Sequence, residues 1–282
     1  CRVDWGMFDP VSIAAAFFAA GVIAFIVGAL LNLRLWLLGS ESIPSTIAAV
    51  VKTIFSRRLL TIIRTFIVNI FAQKRLYNVD PLRGLEKASF VTFYVLLILI
   101  NHILADIVAG VSTVEAFINE FFRSPFFPAY IFKEVADLQT PLWSAFFFID
   151  NLSMAMVLFF AELLAVHRRF FKKHFEAATR EDAILLFLPV IWFIFRYVAE
   201  AVTIVKYGSP PGSQFMFVAY AISLLLTPLN EAQISLLYSI LWPTAGFFLG
   251  IFFGIIPYTG RLWHAFAAPL TMLVNSVGGE RR

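Results

Sequence analysis

Cysteine is nearly absent from this chain. Cys1 is the only one in 282 residues, so an intrachain disulfide, a cysteine-held iron–sulfur cluster and a cysteine-based metal site are all excluded. Charge is scarce as well. Asp, Glu, Lys and Arg make up 14% of the residues, against about 25% in soluble domains. There are only four histidines, which bounds any haem chemistry. Internal repeats and low-complexity linkers are lacking, which leaves a single integral membrane domain over 1–282. A secretory signal is not visible, and the first apolar run reads as retained. The start at Cys1 is read as truncated; a lipoprotein-type cleavage, which would leave a cysteine on the outer face, is the alternative.

What the chain has is apolar length. Hydrophobic residues make up 60%, and mean hydropathy is +0.84. Five runs, at 12–33, 88–109, 142–166, 183–205 and 233–256, approach or exceed the roughly 20 residues that span a bilayer's hydrocarbon core as a helix. The expected fold is an all-α bundle of five spans. Lys and Arg gather on one side of it: 17 of the 22 lie after spans one, three and five, against Arg2, Arg123, Lys133 and Lys206 on the other side. The positive-inside rule then puts the N-terminus out and the C-terminus in. The net charge of +4 and pI near 9.3 follow from these loops and suit an anionic lipid surface. The basic residues are not interleaved with a stacking platform, so nucleic-acid binding is a poor reading.

Two further elements are expected. Over 45–73, Ile47, Val50, Val51, Ile54, Leu59, Ile62, Ile63, Phe66 and Ile70 recur at helical spacing, with Lys52, Arg57, Arg58 and Arg64 at other positions of the same turns. This pattern predicts an amphipathic helix along the cytoplasmic interface. The run 215–229 is apolar but short and is closed by Pro228, which favours a re-entrant or interfacial segment over a sixth span.

Ionisable groups inside a span are costly and mark sites for closer study. Arg196 and Glu200 stand four apart on span four, so they share a helix face and can pair. Asp150, beside Asn151, falls near the outer third of span three, and Asp106 and Glu162 are further intramembrane carboxylates. Such groups can exchange protons as a quinone is oxidised or reduced; interhelical salt bridging is the alternative. His102 lies in the outer half of span two, His167 and His174 at the cytoplasmic end of span three, and His264 after span five. His264, His102 and His167 are the candidate haem ligands. His102 and His264 fall in opposite leaflets, so only His167 and His264 form an easy pair at one depth. Each histidine has the alternative of a structural, hydrogen-bonded role.

Three segments carry a family resemblance. FAQKRLYNVDPLRGLEKASFVTFYVLL, HRRFFKKHFEAATREDAILLFLPVIWFIFRYVAEAV and IIPYTGRLWHAFAAPLTML resemble, in order, the approach to span two, the basic loop with span four, and the C-terminal Pro-x-Thr-x-x-x-x-His-x-x-x-x-Pro motif of the membrane subunits of respiratory nitrate reductase (gamma subunit) and membrane-bound heterodisulfide reductase. The resemblance implies a cytochrome b-like subunit that exchanges electrons with quinone and docks a cytoplasmic iron–sulfur or other redox partner. Within it, His264 matches a haem ligand. Two departures stand out: Lys87, in Gly84-Leu85-Glu86-Lys87, replaces a family histidine, and span five runs Leu241-Trp242-Pro243-Thr244-Ala245-Gly246 where a histidine is expected. The expected content is therefore one b haem or none, rather than two.

The function expected is a membrane anchor and quinone-interacting subunit of a respiratory oxidoreductase, not catalytic alone. The alternative is a redox-silent anchor. Lys87, Arg196, Glu200 and Asp150 are the quinone or proton candidates, and Arg168, Arg169, Lys172 and Lys173 are the partner-docking candidates.

Overall fold

The computed structural model describes residues 9–37, 100–110, 124–135, 138–170 and 180–258, with isolated positions between 60 and 114; for the helical residues 33–37, 124, 134, 161–170 and 180–186 it describes the backbone alone. Among the described residues the regular structure is entirely helical. We number the helices α1 (Pro10–Leu37), α2 (Ile100–Val108), α3 (Phe127–Glu134), α4 (Pro141–Phe170), α5 (Arg180–Lys206), α6 (Phe217–Leu226) and α7 (Glu231–Ile255). Single 3-10 turns precede α3 and α6 and follow α7.

Four segments are long and apolar enough to cross a membrane: Pro10–Asn32, Pro141–Phe160, Phe187–Lys206 and Glu231–Tyr258. They match expected spans one, three, four and five. Of span two, α2 is the described part. The interfacial helix expected at 45–73 falls outside the described residues, apart from isolated positions. α6 is ten residues long, about 15 Å, too short to cross a bilayer.

α2 shows what surrounds the bundle. Its polar residues Asn101, His102 and Asp106 are buried, while Ile100, Leu104, Ile107 and Val108 are exposed. A helix in water does the opposite. Polar groups turned inward and aliphatic ones outward are what a hydrocarbon solvent selects, because an unsatisfied polar group facing lipid costs several kcal/mol. The long helices follow the same logic. The most apolar window, in α1, is 22% buried, and its Ile23, Ile26, Val27, Leu30 and Leu31 lie open; the α5 window is 56% buried and accommodates charge.

Packing divides the chain into two compact units, residues 1–22 with 89–253 and residues 23–88 with 254–282. In the first, α1 and α7 meet through small residues. A Cβ on Gly21 would strike the backbone of Gly250, one on Gly246 the backbone of Ala14, and one on Gly250 the carbonyl of Phe17. Close backbone approach of this kind is how membrane helices associate without a hydrophobic driving force between them. The rings of Phe17 and Phe247, and of Phe18 and Phe253, pack edge-on beside the seam. In the second unit, Gly28 lies against Pro257, and Asn32 Nδ2 donates to the Pro257 carbonyl at 2.7 Å.

The turn between α5 and α6 sets up the site. α5 ends with Ser209 N–H bonded to the Ile204 carbonyl and Gly208 N–H to that of Val205, with Gly208 at φ 72°. This is the Schellman arrangement, in which a glycine readily supplies the left-handed residue. The chain then reverses, and α6 packs back against α5 and α4.

Candidate functional site

The site is assembled from the middle of α4 and α5, with α2, α3, α6 and α7 around it, all in the first unit. On α5, the spacing of four puts Arg196 and Glu200 on one face, and Arg196 Nε donates to Glu200 Oε1 at 2.8 Å. The other side of the guanidinium meets α4: Arg196 Nη2 lies 3.2 Å from both Oδ1 and Oδ2 of Asp150. Asp150 Oδ1 is also 2.7 Å from His102 Nε2 on α2. None of these four side chains is more than 1% exposed. Charged groups this deep persist only when paired and hydrogen-bonded.

A second layer fixes the first. Asn151 Nδ2 donates to the remaining Glu200 oxygen at 3.4 Å, and its Oδ1 accepts the Val218 N–H at the start of α6 at 3.0 Å. Tyr197 OH donates to the Asn151 carbonyl at 3.1 Å. Asn101 Nδ2 donates to the Phe146 carbonyl at 3.1 Å, holding α2 to α4. The Phe127 ring stacks on His102 with centroids 4.6 Å apart, and the Arg196 guanidinium lies 5.8 Å from the Trp192 ring centroid. On the next turn of α5, Thr203 Oγ1 donates to the Ala199 carbonyl at 2.7 Å and accepts Trp242 Nε1–H from α7 at 3.0 Å.

Two buried donors beside the cluster are unused among the described residues: Ser153 Oγ and Trp192 Nε1. Ser153 is one turn on from Asp150, and Trp192 one turn before Arg196, so each shares a helix face with a member of the salt bridge.

The structure thus brings together Arg196, Glu200, Asp150 and His102. Asp106 accepts from Tyr130 OH at 3.1 Å. The pairing bears on the reading of His102. Its Nε2 is engaged by Asp150, and one ring face is covered by Phe127. His102 thus lies with the carboxylates, which is the structural, hydrogen-bonded alternative named for it above. Where a span-five histidine was expected, Trp242 is fully buried, its ring edge-on to Phe126. Among the described residues no three His, Cys, Asp or Glu side chains converge to hold a metal ion. His264, His174, Lys87, Lys172 and Lys173 lie outside the described residues, and His167, Arg168, Arg169 and Glu162 are described by backbone alone, within α4.

Sequence reasoning missed Asn101, Tyr197, Thr203, Trp242, Ser153 and Trp192. Their roles come from partners on other helices, and nothing in local spacing announces those partners.

No family model matches the chain, and no curated protein and no solved structure matches it.

Proposed function

We propose that this chain is a five-span membrane subunit, N-terminus outside and C-terminus cytoplasmic, that interacts with membrane quinone and anchors cytoplasmic electron-transfer partners of a respiratory oxidoreductase. The observation that carries the quinone reading is the buried ionic cluster with two unused donors at its edge. Ser153 Oγ and Trp192 Nε1 suit a carbonyl oxygen, the group a quinone presents; Asp150, one turn from Ser153, is a proton-exchanging group linked through Arg196 and His102 to the rest of the cluster. Ionisable residues kept inside a bilayer at high cost are functional by default. The resemblance in the C-terminal motif around His264 supports the redox setting, and the excess of Lys and Arg on one side supports the orientation.

His264, His102 and His167 are the haem-ligand candidates, with His264 foremost for its match to the family motif, and Lys87 is a quinone or proton candidate outside the cluster. The reading is therefore one b haem or none. A pyridine haemochrome assay on the purified chain tests it; two haems per chain would sink it. The second reading, a redox-silent anchor, is favoured by the two family histidines that the chain lacks. A purified chain that has no visible haem band and binds no quinone would decide for that reading.

A further inference from the structure

We infer that His102, Asp150, Arg196 and Glu200 form a proton-binding site inside the membrane that holds one exchangeable proton, shared between the imidazole and the two carboxylates. The inference rests on the membrane reading above and not on the redox partners, so it stands or falls separately from quinone binding.

The argument is one of charge and geometry. Two carboxylates and one guanidinium sum to −1, and all three side chains, with His102, are at most 1% exposed. An uncompensated charge at that depth is far more costly than a bound proton, so the cluster is driven to neutrality by taking up one. The contacts say where that proton can reside. The 2.7 Å separation of His102 Nε2 and Asp150 Oδ1 serves equally an imidazolium donating to a carboxylate and a carboxylic acid donating to a neutral imidazole. Glu200 is the other acceptor. Among the described residues its Oε2 has only the longer 3.4 Å contact from Asn151, while Asp150 is in contact with both Arg196 and His102. Arg196 bridges the two carboxylates, so protonating one strengthens its hold on the other, and the four groups titrate as a unit.

Among the described residues, the other ionisable groups on the helices around the cluster are few. Tyr197 on α5 donates to the Asn151 carbonyl. Asp106 and Tyr130, on α2 and α3, are bonded to each other, and Lys133 on α3 is exposed. α6 contributes Tyr220; α7 contributes Glu231 and Tyr238, with Lys206 of α5 lying over the Tyr238 ring. Glu200 is six residues from the end of α5, about 9 Å along the axis, and Asn151 links it to the first turn of α6. His102 is likewise six residues from the end of α2.

The test is a pH titration of the full chain in lipid nanodiscs by infrared difference spectroscopy, with 15N-histidine NMR on the same samples. At neutral pH the wild type is expected to show either a protonated buried carboxyl or a His102 imidazolium, and to lose that one proton in a single coupled step as pH rises. Glu200→Gln and Asp150→Asn each remove one negative charge and should abolish the step. His102→Gln should keep it and move the proton onto a carboxyl, and Arg196→Gln should add a second proton. Should a variant fail to fold, the wild type alone decides: a neutral His102 with both carboxyls ionised at every pH from acid to neutral overturns the inference, as does a step that survives unchanged in Glu200→Gln.

Discussion

His102 Nε2 lies 2.7 Å from Asp150 Oδ1, with both side chains 1% exposed and 48 residues apart in sequence. That contact ties α2 to α4 at the depth where Arg196 ties α4 to α5. Breaking a buried ion pair from one side leaves the other charge stranded, at a cost of about 3–5 kcal/mol. Asp150→Ala leaves Arg196 paired with Glu200, so a smaller cost of about 1–3 kcal/mol is expected in a steric-trapping or denaturant experiment in micelles. His102→Ala, which strands no fixed charge, is expected to cost about 1–3 kcal/mol.

The α1–α7 seam gives a packing prediction. Gly250→Leu has no room, because even a Cβ would meet the Phe17 carbonyl. Moving the helices apart to admit it should cost about 1–3 kcal/mol or more. Leu236→Ala, on an exposed position of the same helix, should change stability little. Parallel thermal-unfolding scans of the two variants would separate them.

How much of this was legible in the sequence depends on how far apart the partners are. The Arg196–Glu200 pair was readable because a spacing of four fixes a shared helix face whatever the tertiary fold. The four long helices were readable because bilayer thickness sets a length that sequence alone can meet. α6 was readable as non-spanning for the same reason. The His102–Asp150 contact was not, since it depends on which helices are neighbours and on their rotation. Both residues were singled out, but for different chemistries, and nothing in the sequence paired them. Trp242 falls in the stretch Leu241–Gly246 where the family has a histidine, but its bond to Thr203 spans 39 residues and has no local signature.

Orientation is testable by labelling. The proposed orientation puts 17 of the 22 Lys and Arg on the cytoplasmic side, so in it Lys173→Cys should resist a membrane-impermeant maleimide added to intact cells and react after permeabilisation, with Cys1 replaced by serine. Efficient labelling from outside would reverse the topology and remove the basic face from the cytoplasm.

Docking is testable on the same face. Replacing Arg168, Arg169, Lys172 and Lys173 together with Gln should leave membrane insertion intact and lower the salt concentration at which soluble partners are lost on purification, because charge complementarity at an interface rim is screened by salt. Equal retention by wild type and variant at every ionic strength would show that these charges set topology and touch lipid headgroups only.

The quinone reading is tested most directly by titrating a short-chain naphthoquinone into the chain in lipid nanodiscs and following tryptophan fluorescence. Saturable quenching is expected. Trp192→Phe and Ser153→Ala, each of which removes one unused donor, should weaken it about 5–10-fold without unfolding the protein, in line with about 1 kcal/mol per hydrogen bond. Quenching that rises linearly with the quinone dissolved in the lipid, identical in wild type and both variants, would contradict a quinone site beside the Asp150–Arg196 pair.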